Sequence, residues 1–171
     1  GITGQLNVGG ANNAFTGNIV PSANVTYNLG STTAWWSTAF VTANQAKYAD
    51  LAENYLADAE YAPGTVLHFG GEQEVTLCDT DMCSRIAGVV STAPGYLMNA
   101  TAEGEHVVAI ALQGRVPCRV QGTVAKGDMM VSAGNGHARA ESNPRVGSVI
   151  GKALENFDGP EGVIEVVIGK H

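Results

Sequence analysis

Charge is scarce in this chain and unevenly placed. Asp, Glu, Lys and Arg make up 15% of the 171 residues, below the quarter usual for globular proteins. Residues 1–46 contain none of them. Aromatic residues are few, at 6%. No apolar run approaches the ~20 residues that span a bilayer, and the first residues lack a basic segment followed by an apolar one, so neither membrane insertion nor a leader is expected. Bases are outnumbered sixteen to nine, for a formal charge of −7, which argues against a nucleic-acid backbone or an anionic membrane as partner. Phosphate-binding and hydrolase signatures (Walker A, GxGxxG after a strand, GxSxG, HExxH) are missing.

The three cysteines, Cys78, Cys83 and Cys118, are too few and odd in number for a disulfide scaffold. No CxxC or HxxxH spacing accompanies them. The nearest histidine, His68, precedes Cys78 by ten residues. They read as small buried hydrophobes in a chain assembled in a reducing cytoplasm, and neither a metal nor another cofactor is expected. His68, His106, His137 and His171 are dispersed and read as strand or terminal residues. Asp79-Thr80-Asp81 reads as a solvated turn.

The charge distribution divides the chain. Residues 1–46 are built from Asn, Thr, Ser, Gly and Ala with spaced apolar residues such as Ile19, Val25 and Tyr27. A free-standing domain of that size without surface charge would be poorly soluble, and a flexible linker would not carry Phe15, Trp35, Trp36 and Phe40. Burial against further copies of the same chain, as in a fibrous trimer, accounts for both; the alternative is a sticky terminal fragment of a larger domain. Residues 47–58 form a junction that reads as a short helix or an extended segment, with Asn44 as an N-cap and Pro63-Gly64 as a stop. Residues 59–171 carry strand and turn signals throughout.

Strands are predicted at 65–69, 74–78, 85–91, 107–113, 116–121, 129–132, 146–153 and 163–168. Turn residues separate them, among them Gly70-Gly71, Gly134-Asn135-Gly136 and Asp158-Gly159-Pro160. Val116, Cys118 and Val120 alternate with Arg115, Pro117 and Arg119, predicting one buried and one wet face. Pro117 places that stretch at an edge or bulge. Short strands at this spacing predict a mainly β fold, a compact barrel or sandwich.

Asp50 and Glu53 form the one acidic pair with chemical promise. On a helix their spacing puts both carboxylates on one face. Two adjacent carboxylates do not both ionise cheaply, so one keeps its proton. One could then act as general base on a water and the other as general acid on a leaving amine.

Around these residues, Tyr48 to Tyr55 resembles the junction of the self-cleaving C-terminal chaperone domain, of glutamic-peptidase type, found in phage tail-fibre, tail-spike and neck-appendage proteins. Asp50, Ala52 and Glu53 match that family's motif. Leu51 replaces its aromatic residue, and Ala49 stands where the family often has Ser. The resemblance implies a scissile bond at Ala49–Asp50, with Asp50 and Glu53 catalytic. Ile19-Val20-Pro21, Tyr27-Asn28-Leu29-Gly30-Ser31, Trp36 and Phe40 are similar to the motif that ends many fibre shafts, with Asn28 in place of its Asp. There Leu29, Trp36 and Phe40 anchor neighbouring subunits and Gly30 permits the turn. Residues 85–122 and 145–169 look like virion structural proteins of contractile-tailed marine cyanophages. A serine-lysine self-cleaving chaperone is not supported, because no Ser-Asp-x-Arg-Leu-Lys stretch is present.

The resemblance implies a homotrimer. Residues 1–46 end the shaft, and 59–171 form a trimerisation domain that aligns three chains before their non-local ladders form. The assembled protein would sit in the virion after assembly in the host bacterial cytoplasm. Two alternatives stand beside this expectation: an uncleaved tip that contacts a host cell-surface receptor, and a purely structural virion protein.

Overall fold

A computed structural model describes residues 15–169. The first fourteen residues of the uncharged stretch and His171 lie outside them. The chain divides between Asn44 and Gln45 into two units. In the first unit, every described residue is exposed. Among its described residues one β-bridge forms, in which Ser31 and Ala34 exchange backbone hydrogen bonds of 3.0 and 3.3 Å. The Ser31 hydroxyl also accepts from the Ala34 N–H, and Gly30 enters the turn with a φ of +94°.

The second unit is all strand among its described residues: β1 (Asp50–Leu56), β2 (Val66–Phe69), β3 (Val75–Leu77), β4 (Ile86–Val90), β5 (Tyr96–Met98), β6 (Val107–Val120), β7 (Met129–Gly134), β8 (His137–Ala140), β9 (Val149–Ala153) and β10 (Gly162–Ile168). No helix in the described residues is long and apolar enough to cross a membrane.

The long strand β6 organises this unit. Its C-terminal half pairs with β10, from Gly114↔Ile168 to Val120↔Gly162. From there β10 pairs β9, β9 pairs β7, β7 pairs β8, and β8 returns to β6 through Val120↔Ala138. This circuit is a closed five-stranded barrel. The N-terminal half of β6 carries β1 on one side and β4 on the other, and β4 continues through β2 to β3. Strand β5 adds parallel to β1.

Alternation sorts the side chains into two cores. Val66 and Val89 join the barrel core with Val116, Cys118, Val120 and Met130, whereas Leu67 and Val90 join Ile110 and Val75 in a second core. Adjacent residues of one strand thus serve opposite faces.

The mainly β expectation holds, and its details shift in several places. The two strands predicted at 107–113 and 116–121 are one strand, because Gly114 continues the ladder from β1 to β10. Between the helical and extended alternatives for the junction, the extended one is realised: β1 follows β6 from Asp50↔Gly114 to Leu56↔Val107. A short Ala-Leu-Glu segment has little helical stability alone, and seven paired residues outweigh it. Asn44 therefore caps nothing. Pro117 does sit where β6 lacks a strand on one side, between Arg115, whose N–H reaches Ala49, and Arg119, whose N–H donates to the Gly64 carbonyl.

Candidate functional site

Strand β1 opens at the bond that the sequence marks. Asp50 is 8% exposed and stands opposite Gly114 of β6. Close approach explains the glycine: a Cβ there would lie 2.1 Å from the Ala49 carbonyl oxygen. The backbone on either side of the Ala49–Asp50 bond is held by β6 and by the turn before β5. The Ala49 carbonyl accepts the Arg115 N–H at 3.4 Å, and the Asp50 carbonyl accepts the Gly95 N–H at 2.8 Å. The Asp50 side chain is fixed independently, its Oδ2 accepting the Ser91 hydroxyl at 2.6 Å. A buried carboxylate held by a hydroxyl from the end of β4 is positioned before any partner arrives.

A cleft of about 290 Å³ opens over this bond. Lys47, Tyr48, Ala49, Asp50, Ser91, Arg115 and Glu165 line it. The site thus combines the Ala49–Asp50 peptide, two carboxylates, side-chain hydroxyls and two cationic side chains. Glu165 is on β10, paired opposite Pro117.

Glu53 occupies a different place. In a strand, residues three apart leave on opposite faces, so Asp50 and Glu53 do not share a face as they would on a helix. Glu53 Oε2 accepts the Tyr55 hydroxyl at 2.8 Å. Burial first, then that hydrogen bond to a carboxylate, pushes the Tyr55 phenol up to about 12. Tyr55 packs edge-on to Phe69 with ring centroids 5.6 Å apart. Asp50 and Glu53 therefore have separate partners within one chain.

The sequence pointed to Ala49, Asp50 and Glu53 but not to Ser91, Arg115 or Glu165. Those three come from β4, β6 and β10 or their ends, and no local spacing joins them. Gly114, between Gln113 and Arg115 in a strand-rich stretch, was the one available sign of close backbone approach. In the first unit, the expected anchors Leu29, Trp36 and Phe40 are 85%, 67% and 96% exposed.

No family model matches the chain, and no curated protein matches it. Among solved structures, it is similar to the pre-mature bacteriophage phi29 gene product 12, with a TM-score of 0.57 and 13% identity over 77% of this chain and 23% of that one. At that identity the likeness is one of fold. The chain spans under a quarter of the neighbour's length.

Proposed function

We propose that this chain is the C-terminal assembly domain of a phage tail fibre or appendage, a homotrimer that cuts itself at Ala49–Asp50. The observation that carries the reading is the conjunction of motif and fold. The Asp50–Glu53 motif stands at the first strand of a domain that shares its fold with a pre-mature phage protein. The bond itself lies in a cleft with both flanking carbonyls hydrogen-bonded. Exposed Leu29, Trp36 and Phe40 in an uncharged unit support trimerisation, since copies of the same chain would remove their apolar surface from water. The place of action would be the virion, after assembly in the host cytoplasm.

Within one chain Asp50 and Glu53 have different partners, so chemistry by this pair requires association of chains to complete the site. Cleavage would then follow assembly and make it irreversible, leaving the shaft in a kinetic trap. Glu165, which lines the cleft with Asp50, is the carboxylate that would serve if one chain suffices. The separation of Asp50 from Glu53 also favours a second reading, a permanent trimerising tip, with a host cell surface as its contact.

Intact-mass measurement beside light scattering tests both. The first reading expects a trimer whose chains split into pieces ending at Ala49 and beginning at Asp50, with cleavage abolished by Asp50→Ala. Loss in Glu53→Gln but not Glu165→Gln assigns the second carboxylate, and the reverse reassigns it. A trimer that stays whole for days removes the peptidase reading and leaves the tip; a monomer removes both.

A further inference from the structure

His68, Cys78 and Cys83 come together inside the fold although their spacing did not suggest it. Each offers a ligand atom, a ring nitrogen or a sulfur, and these three atoms lie within 4.8 Å of one another. His68 is on β2, Cys78 directly follows β3, and Cys83 lies in the loop before β4. They are 6%, 0% and 6% exposed, respectively.

The histidine supplies an independent sign of a ligand. Its Nδ1 is buried without a hydrogen-bond partner, and among the described residues it is the one buried side-chain nitrogen or oxygen so placed. Leaving such an atom unpaired is costly, so it calls for an explanation. A cation bound at the nitrogen lone pair supplies one.

The backbone around the cluster is built to hold it. The Cys78 N–H donates to the Val66 carbonyl at 3.1 Å, tying the end of β3 to β2. The loop carrying Cys83 is pinned to β7: Met82 N–H donates to the Ser132 carbonyl at 2.9 Å, and Cys83 N–H to the Ser132 hydroxyl at 2.9 Å. Asp81 of the same loop is gripped by Arg139 through contacts of 2.7 and 3.0 Å. The two sulfurs and the imidazole are thus held by separate elements whose positions are set without a metal.

We propose that His68, Cys78 and Cys83 bind one thiophilic d10 cation, Zn²⁺ or Cu(I), as a clamp joining β2, β3 and the loop before β4. Two thiolates and an imidazole are the donor set such ions select over hard cations. Copper(I) is satisfied by three donors, whereas zinc takes a fourth from water or another small ligand. Binding releases the two thiol protons to solvent as the sulfurs bond the ion. The role is structural, and it is independent of cleavage at Ala49–Asp50.

The test uses the full chain, reduced, stripped of metal, and loaded separately with Zn²⁺, with Cu(I) under anaerobic conditions, and with Co²⁺ as a spectroscopic probe. The expected result is one Zn²⁺ or Cu(I) retained per chain after desalting, a higher Tm in the loaded form, and a thiolate-to-cobalt charge-transfer band. Whichever of the two ions is retained in the presence of both identifies the cation. Cys83→Ser and His68→Gln should lose retention, while Cys118→Ser keeps it. X-ray absorption at the edge of the bound metal should report two sulfur ligands, which decides the matter even where a variant fails to fold. Failure to retain either ion, retention undiminished in a folded Cys83→Ser variant, or a coordination shell without sulfur overturns the proposal. A Cys78–Cys83 disulfide that forms in place of ion uptake overturns it too.

Discussion

Gly114→Ala isolates the contact on which the candidate cleavage site rests. Gly114 has a φ of +103°, where an L side chain is strained by about 1–3 kcal/mol. Its new Cβ would also sit 2.1 Å from the Ala49 oxygen and 2.8 Å from the Asp50 Cα. Both are backbone atoms and cannot rotate aside, so the start of β1 must lift from β6. That weakens the Arg115–Ala49 hydrogen bond and uncovers Asp50, adding roughly 1–3 kcal/mol. Gly127 is the matched control, with a φ of +97° and no heavy atom within 4 Å of its added Cβ. Gly127→Ala should therefore cost about 1–2 kcal/mol, the strain being partly offset by a less flexible unfolded chain. Gly114→Ala should cost about 3–5 kcal/mol, a large part of a typical domain's stability. Urea denaturation measures the difference through midpoints at constant slope. Values for the two variants within about 0.5 kcal/mol of each other would refute close packing of the Ala49–Asp50 peptide on β6.

Two further perturbations follow from the polar contacts. Ser132→Ala removes an acceptor for the Cys83 N–H at 2.9 Å and a donor to the Thr80 carbonyl at 2.8 Å; stranding these groups should cost about 2–4 kcal/mol, and a fully stable variant in thermal unfolding would contradict it. Arg139 lowers Asp81 below its ordinary value of 3.8, chiefly by hydrogen bonding. Glu141 is lowered first by the Asn143 N–H and then by Arg139. With folded values below unfolded ones, their stabilisation is complete above the ordinary carboxylate range and lost as pH falls through the lowered values. Arg139→Gln should therefore destabilise at neutral pH, and the gap from the unaltered protein should shrink below about pH 3.8. A gap independent of pH across that range would show that the ion pair contributes nothing.

Much of the barrel can be read from local pattern. Val116, Cys118 and Val120 are buried as their alternation predicts, and Gly134-Asn135-Gly136 turns β7 into β8 with all three φ values positive. Strand β8 itself, His137-Ala138-Arg139-Ala140, escapes prediction because nothing in it favours a strand until β7 pairs with it. Strand β5 is three residues long and gains its identity from lying parallel to β1. The candidate site divides in the same way. Asp50 and Ala49 are visible as a motif, whereas Ser91, Arg115 and Glu165 reach the cleft from three other strands or their ends.

The sequence by itself determined the class of the fold and the boundary of its textures. Side-chain period, turn residues and the confinement of charge to residues 47–171 are local properties, and each acts over a few residues. Tertiary structure alone decided that 50–56 is a strand, that β6 runs unbroken through Gly114, and that Asp50 and Glu53 part company. It also brought His68, Cys78 and Cys83 within 4.8 Å. The physical reason is common to all four. A ladder's hydrogen-bond partners and a cluster's ligands are non-local, so their free energy enters only after distant segments meet, and it then exceeds the small preferences of a short segment.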